Sequence, residues 1–131
     1  MTRAAFVREP IDTRSILERT KRPEDGAAIA FEGTVRNNTR GRQTLYLDYE
    51  AYEGMALKQM EELAEEAVRQ FKIREVAIVH RLGRLEIGDI SVLIVVASAH
   101  RAAAYEASRW LIDTLKRSVP MALNRWCTPF R

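Results

Sequence analysis

Four basic side chains stand where apolar or periodic segments of the sequence end. Arg36 follows the apolar run that closes with Gly33-Thr34, and His100-Arg101 lie between the most hydrophobic segment and a helical one. A strand-to-helix junction of that kind leaves free backbone N–H groups beside the positive end of the helix dipole, which suits a bound anion. Lys116 lies near the other end of the same helix, about 22 Å away at the α-helical rise. An anion site that joins these residues therefore requires either a bent helix or two chains.

Each of these residues also has an ordinary structural explanation. An arginine after a strand is often a solvated surface charge, and a histidine at a helix start often caps or packs. A lysine near a helix C-terminus is favoured by the dipole alone. His80 follows the apolar residues 76–79, and we interpret it as structural. The residues by themselves leave the functional and the structural interpretations open.

Length and composition narrow the class of protein. The chain has 131 residues, 47% of them hydrophobic and 30% charged, which predicts a single globular domain over 1–131. Its one cysteine, Cys127, excludes an internal disulfide and a cysteine metal cluster, and we expect no metal and no cofactor. The net charge of +3 is spread among 18 acids, so neither nucleic acid nor a membrane is the expected partner. Without a signal-peptide core near its start, the chain is expected in the cytoplasm.

Periodicity predicts the elements that hold the basic residues. Apolar or alternating segments predict strands at 4–7, 27–35, 45–51, 76–80 and 90–97. Asp12 offers an N-cap for a short helix, helical spacing predicts a long helix after Gly54, and 101–117 predicts another that Pro120 ends. This order indicates an α+β sandwich, and no glycine-rich phosphate loop follows a strand.

Several short segments occur in an order that is more specific than any one of them. They are Phe31-Glu-Gly-Thr-Val-Arg-Asn-Asn38, Leu47-Asp-Tyr-Glu-Ala-Tyr52, His80-Arg-Leu-Gly83, Ser98-Ala-His-Arg-Ala-Ala103 and Asp113-Thr-Leu-Lys116. Over residues 28–120 this succession resembles the large, catalytic subunit family of molybdopterin synthase. The Gly-Thr-Val-Arg and Ser-Ala-His-Arg segments are the most diagnostic.

The resemblance implies a fold, partners and a reaction. The expected fold is an α/β hammerhead-type member of the α+β class, with a small additional antiparallel sheet. The expected assembly is a homodimer that binds small ubiquitin-like sulfur-carrier subunits, giving a heterotetramer. A thiocarboxylate on the C-terminal Gly-Gly of the small subunit supplies sulfur to cyclic pyranopterin monophosphate. The product is the dithiolene of molybdopterin, formed by a sulfur transferase.

The resemblance also assigns roles to individual residues. Thr34, Val35 and Arg36 match the first substrate-binding segment of the family, and His100 and Arg101 match the second. Lys116 matches the catalytic lysine. Guanidinium groups suit the substrate's cyclic phosphate because they donate paired N–H groups to its oxygens.

The tail departs from the family pattern from about residue 121. Leu123 stands where the family has a second lysine, and Arg125 is expected to restore one positive charge at the substrate. This departure supports an alternative, a catalytically impaired paralogue that dimerises and binds the small subunit without turnover. Nucleic-acid binding and a persulfide carrier that uses Cys127 are further alternatives, with less support.

Overall fold

The structure, a computed structural model, describes residues 3–119 and 121–127. Within these residues the chain forms three helices and eight strands. In chain order they are β1 (Ala4–Val7), α1 (Thr13–Thr20), β2 (Ala27–Thr34), β3 (Asn38–Thr39), β4 (Arg42–Ala51), α2 (Glu53–Phe71), β5 (Glu75–Arg81), β6 (Gly83–Leu85), β7 (Ile90–Ser98), α3 (Arg101–Ser118) and β8 (Met121–Cys127). The mixture of locally paired strands and separate helices confirms the predicted α+β class. Pro120, the predicted stop of the last helix, lies outside the described residues.

The larger sheet has the strand order β1-β5-β7-β2. β1 runs parallel to β5, whereas β7 is antiparallel to both β5 and β2. The helices α2 and α3 cover one face, and α1 covers part of the other. Because both faces of β7 are covered, this strand is apolar almost throughout, as its sequence predicts.

The two long helices supply most of the main core. Their buried positions recur every three or four residues, which is the spacing of one helical face. These positions are Ala56, Met60, Ala64 and Ala67 of α2, and Ala104, Ala107, Ser108, Leu111 and Leu115 of α3. The many alanines let the helices lie close to each other and to the sheet. As a result, the last turn of α3 brings Lys116 to the place where the two sheets meet.

The smaller sheet is built around β4. Residues 47–49 of β4 pair with β6, and the same residues pair with β8, so these two strands lie on opposite edges of β4. β3 and the start of β4 form a tight hairpin at Arg40 and Gly41, which both have positive φ. The sequence predicts none of β3, β6 and β8. The first two are very short, and β8 is recognisable only from its distant partner β4.

None of the described helices combines the length and the apolar composition that crossing a bilayer requires.

Candidate active site

A cleft lies between the end of α3, the end of β2 and the inner face of the smaller sheet. It consists of two adjacent cavities with shared walls at Tyr49, Ser91, Val92, Lys116 and Leu123. The His80 cavity, about 230 Å³, is also lined by His80, Ile112, Leu115, Val119 and Met121. The Arg36 cavity, about 150 Å³, is also lined by Phe31, Gly33, Thr34, Arg36, Asn38, Thr39, Thr44, Leu47 and Arg125. We call the two together the Lys116 cleft.

The Arg36 cavity gathers three cationic side chains. Arg36 comes from the loop after β2, Lys116 from the last turn of α3, and Arg125 from β8, where it pairs with Leu47 of β4. None of the described residues that line the cavity is acidic, and no described carboxylate forms an ion pair with any of the three cations. Uncompensated guanidinium and ammonium groups around a small cavity favour an anion such as phosphate.

A β-bulge in the larger sheet directs the end of β2 towards the cleft. The register between β2 and β7 shifts between Gly33 and Thr34, which leaves Ser91 without a cross-strand partner. Ser91 turns its hydroxyl to the Gly33 carbonyl and donates a hydrogen bond to it at 3.1 Å. A Cβ on Gly33 would lie 2.7 Å from Cγ1 of Val92, so only glycine fits this close approach. The bulge therefore places Thr34 and Arg36 on the wall of the cleft.

Val35 anchors this segment. Its side chain is 3% exposed and packs with Leu47 and Leu85 in a small core under the second sheet. Its backbone N–H donates to the Asp89 carbonyl at 2.9 Å, and its carbonyl accepts from the Gly88 N–H at 2.9 Å. Of the predicted segment, Thr34 and Arg36 line the cleft, whereas the side chain of Val35 faces the core and holds its neighbours in place.

His100 and Arg101 lie at the far end of α3. His100 is the N-cap residue and makes no side-chain capping hydrogen bond, and both side chains are exposed. α3 continues without interruption from Arg101 to Ser118, so about 22 Å of helix separates Arg101 from Lys116. One chain therefore brings Thr34, Arg36, Lys116 and Arg125 together but leaves His100 and Arg101 apart from them.

His80 lines the cleft, although the sequence interpretation treats it as structural and leaves it out of the site. It is 5% exposed, and Tyr49 contacts its ring edge-on with the centroids 4.8 Å apart. The pKa of His80 is lowered to about 4, chiefly because burial disfavours the charged ring. The hydrogen bond to the Arg81 carbonyl raises this pKa, and the nearby charge of Lys116 lowers it by a smaller amount. A signal was available, because alternation along β5 puts His80 on the same face as Val76 and Ile78, which faces α2 and α3.

The tail supplies one wall of the cleft. Leu123 of β8 lies opposite Tyr49 of β4 and packs on the small core around Val35. An apolar side chain therefore stands beside Lys116, where the resemblance would place a second lysine. Cys127 pairs with Thr44, is a free thiol and is not among the residues that line either cavity. The described residues contain no group of three or more His, Cys, Asp or Glu side chains that could hold a metal ion.

Comparisons with known proteins agree with the motifs. A sequence model of the family described as MoaE protein matches residues 6–118. The molybdopterin synthase catalytic subunit of Halalkalibacterium halodurans is 44% identical over 119 residues, which cover 91% of this chain and 76% of that protein. The crystal structure of molybdopterin synthase from Staphylococcus aureus superposes with a TM-score of 0.92 at 39% identity, over 98% of this chain and 93% of that one.

A more distant structure shares the fold. It is a complex of subunits 1 and 2 of molybdopterin-converting factor from Helicobacter pylori, with a TM-score of 0.78 at 24% identity over 93% of this chain and 83% of that one. Together these similarities confirm the predicted fold, with its small additional sheet. They also confirm the family that the ordered motifs indicate: this chain belongs to the MoaE protein family.

Proposed function

We propose that this chain is the catalytic subunit of molybdopterin synthase and transfers sulfur to cyclic pyranopterin monophosphate. The observation that carries the proposal is the meeting of Lys116, Arg36 and Arg125 in a cleft without acidic lining among the described residues. Family membership supports the reaction, because relatives of similar sequence are named molybdopterin synthase catalytic subunits.

The residues of the cleft divide the work. Arg36 and Arg125 hold the cyclic phosphate through N–H donors, and the hydroxyl of Thr34 adds a hydrogen bond. Val35 contributes its backbone position rather than its side chain. Lys116 moves protons at the carbon atoms that receive sulfur, since an ammonium can donate a proton and an amine can accept one.

The sulfur comes from a partner rather than from this chain. The proposed donor is a small ubiquitin-like subunit with a thiocarboxylate on its C-terminal Gly-Gly. Each transfer forms a carbon–sulfur bond on the substrate, and hydrolysis breaks the acyl–sulfur bond of the donor. Water supplies the oxygen that leaves the donor as a carboxylate, so one dithiolene consumes two donors. The Helicobacter pylori complex of two subunits supports such a partner. Cys127 itself lines neither cavity, which agrees with a donor outside this chain.

A homodimer completes the site in this proposal. His100 and Arg101 lie too far along α3 to reach a ligand held by Lys116 of the same chain. In a two-fold dimer the partner's His100 and Arg101 can enter the cleft of this chain. By symmetry, His100 and Arg101 of this chain then enter the cleft of the partner. Two large and two small subunits then form a heterotetramer.

We place the reaction in the cytoplasm. The free thiol of Cys127 and a thiocarboxylate donor both suit a reducing compartment, because neither persists easily under oxidising conditions.

The test is conversion of precursor by the purified chain with saturating thiocarboxylated small subunit. We expect Lys116→Ala to lower product formation about 100-fold or more, on the order of a lost general acid or base. Arg117→Ala is the matched control, because Arg117 is the next cation on the same helix, is exposed and lines neither cavity. Equal activity of Lys116→Ala and the parent would refute the assignment of Lys116.

Leu123 supports a second candidate function, a paralogue that binds the small subunit without turnover. An apolar side chain beside Lys116 removes the second amine that the resemblance implies. The same assay separates the two candidates through Leu123→Lys. If the parent turns over and Leu123→Lys is faster, the chain is a working enzyme with a weakened site. A parent no better than Lys116→Ala, with intact small-subunit binding, would establish the paralogue.

A further inference from the structure

One ring nitrogen of His80 is occupied and the other is free. Nδ1 lies 2.9 Å from the carbonyl oxygen of Arg81. A carbonyl can only accept, so Nδ1 carries the proton in the neutral ring and Nε2 is an unprotonated acceptor. The ring is held on both sides, edge-on to Tyr49 at 4.8 Å and to Phe6 at 6.2 Å between centroids. A fixed ring with one free acceptor lines the His80 cavity.

Lys116 faces the same cavity. Its ammonium has no ion pair with any carboxylate of the described residues. It is close enough for its charge to lower the pKa of His80. The cavity, about 230 Å³, has room for a water molecule between the two groups.

A neutral acceptor has an advantage over a carboxylate at this position. A carboxylate would cancel the charge of Lys116 and repel an anionic ligand, whereas a neutral imidazole orients the ammonium and leaves its charge intact. Buried His80, with a pKa of about 4, stays neutral at physiological pH. The titratable side chains that face it are Lys116 from α3 and Tyr49 from β4.

We propose that His80 is a positioning residue that holds Lys116 in its working orientation by accepting a hydrogen bond on Nε2, directly or through one water. The role of Lys116 rests on the proposed function, but the proposed hydrogen bond between the two side chains does not, because both line the same cavity. Kinetics and spectroscopy therefore test the two ideas separately.

The kinetic test compares two substitutions of His80. His80→Phe keeps an aromatic ring against Tyr49 and Phe6 but removes both nitrogens, whereas His80→Gln keeps an acceptor near the position of Nε2. We expect His80→Phe to lower kcat roughly 10- to 100-fold with little change in KM, as for a misplaced catalytic group. His80→Gln should recover most of that loss.

A Lys116→Ala background shows whether His80→Phe lowers kcat through Lys116 or by disturbing the site in another way. There, His80→Phe should cost almost nothing further, because the group that it positions is gone. An equal loss in both backgrounds, or no loss in the parent, would overturn the proposal. Thermal unfolding of each variant shows whether it folds. If the parent has no turnover, the proposed function fails and the spectroscopic test alone decides the role of His80.

The spectroscopic test needs no turnover. Nitrogen-15 NMR of the parent should show His80 with Nδ1 protonated and Nε2 unprotonated across neutral pH. Lys116→Met should raise the pKa of His80, because it removes the nearby positive charge, whereas Arg117→Met should leave that pKa unchanged. A proton on Nε2 at neutral pH, or a pKa that ignores Lys116→Met, would overturn the proposal.

Discussion

At the residue scale, the cleft is defined by charge that the protein leaves unbalanced. Arg36, Lys116 and Arg125 face one cavity, although the chain carries 18 acidic residues and pairs many of its other arginines with them. Like charges held together cost free energy in the unliganded protein. An anion relieves that cost when it binds, so the same arrangement that weakens the empty fold strengthens affinity for phosphate.

Arg36→Gln tests the assignment of Arg36 to the phosphate. We expect KM for the precursor to rise about 10-fold or more with a smaller change in kcat, because charge-assisted hydrogen bonds contribute about 1.5–3 kcal/mol. Steady-state kinetics with saturating donor measures both constants. Arg40→Gln is the control, since Arg40 is an exposed cation at the tip of the β3–β4 hairpin and lines neither cavity. Equal effects of the two substitutions on KM would show that precursor binding depends on the net charge of the protein and not on a contact with Arg36.

The motifs in the sequence single out residues that the structure brings together, although their roles stay predictions. Thr34, Arg36 and Lys116 belong to ordered segments, and Arg125 was inferred as a compensating charge; all four line the cleft. The sequence could not show that His80 lies at the cleft, because a histidine after an apolar strand looks the same whether its ring is buried in a core or lines a cavity. Only the packing of β4 and α3 around β5 distinguishes the two.

At the element scale, the site depends on the bulge that ends β2. The absent side chain of Gly33 allows β2 to approach Val92, and the displaced Ser91 ties the bulge with a hydrogen bond. The position of the segment that carries Thr34 and Arg36 is thus set by a steric requirement at Gly33, three residues before Arg36.

Gly33→Ala should destabilise the fold by about 1–3 kcal/mol, because its Cβ would lie 2.7 Å from a branched, poorly adjustable Val92 side chain. We also expect weaker precursor binding, since Thr34 and Arg36 move with the bulge. Gly54→Ala is the matched control: no atom lies within 4 Å of its added Cβ, and its helical position predicts a neutral or slightly stabilising effect. Chemical denaturation gives both free energies of unfolding. A neutral Gly33→Ala would refute the steric argument.

Helices and long strands could be predicted from the sequence because their periodicity is local. Asp12 does accept a hydrogen bond from the Ser15 N–H at 3.1 Å, and the predicted long helices occur within a residue or two of their expected ends. The strand β8 could not be predicted in this way. Its residues alternate weakly, and their partners lie on β4, far away in the sequence. Non-local pairing leaves little trace in a short segment.

At the scale of the whole molecule, two-fold symmetry would resolve the separation of His100 and Arg101 from Lys116. α3 is continuous from Arg101 to Ser118, so each chain would supply His100 and Arg101 to its partner's cleft and receive the same residues in its own. A closed dimer satisfies both needs at once.

Subunit complementation tests this arrangement. Lys116→Ala and Arg101→Gln should each be impaired as homodimers, but co-expression should restore activity at about a quarter of the parent's sites, since half the dimers are mixed and each of these has one intact site. Lys116→Ala co-expressed with Arg36→Gln is the control, because both residues line the cleft of one chain and no intact site can form. The same low activity in both mixtures would exclude a shared site.

The pairing of β8 with β4 has a consequence for the order in which the molecule is made. The main core is complete once α3 has been synthesised, since its members lie almost entirely between Ala4 and Val119. The cleft is not, because Leu123 and Arg125 arrive later and must join a strand translated long before. Pairing between distant segments is slow relative to local structure. During folding, therefore, we expect the main core to form before the cleft, so that competence for ligand waits for the pairing of β8 with β4.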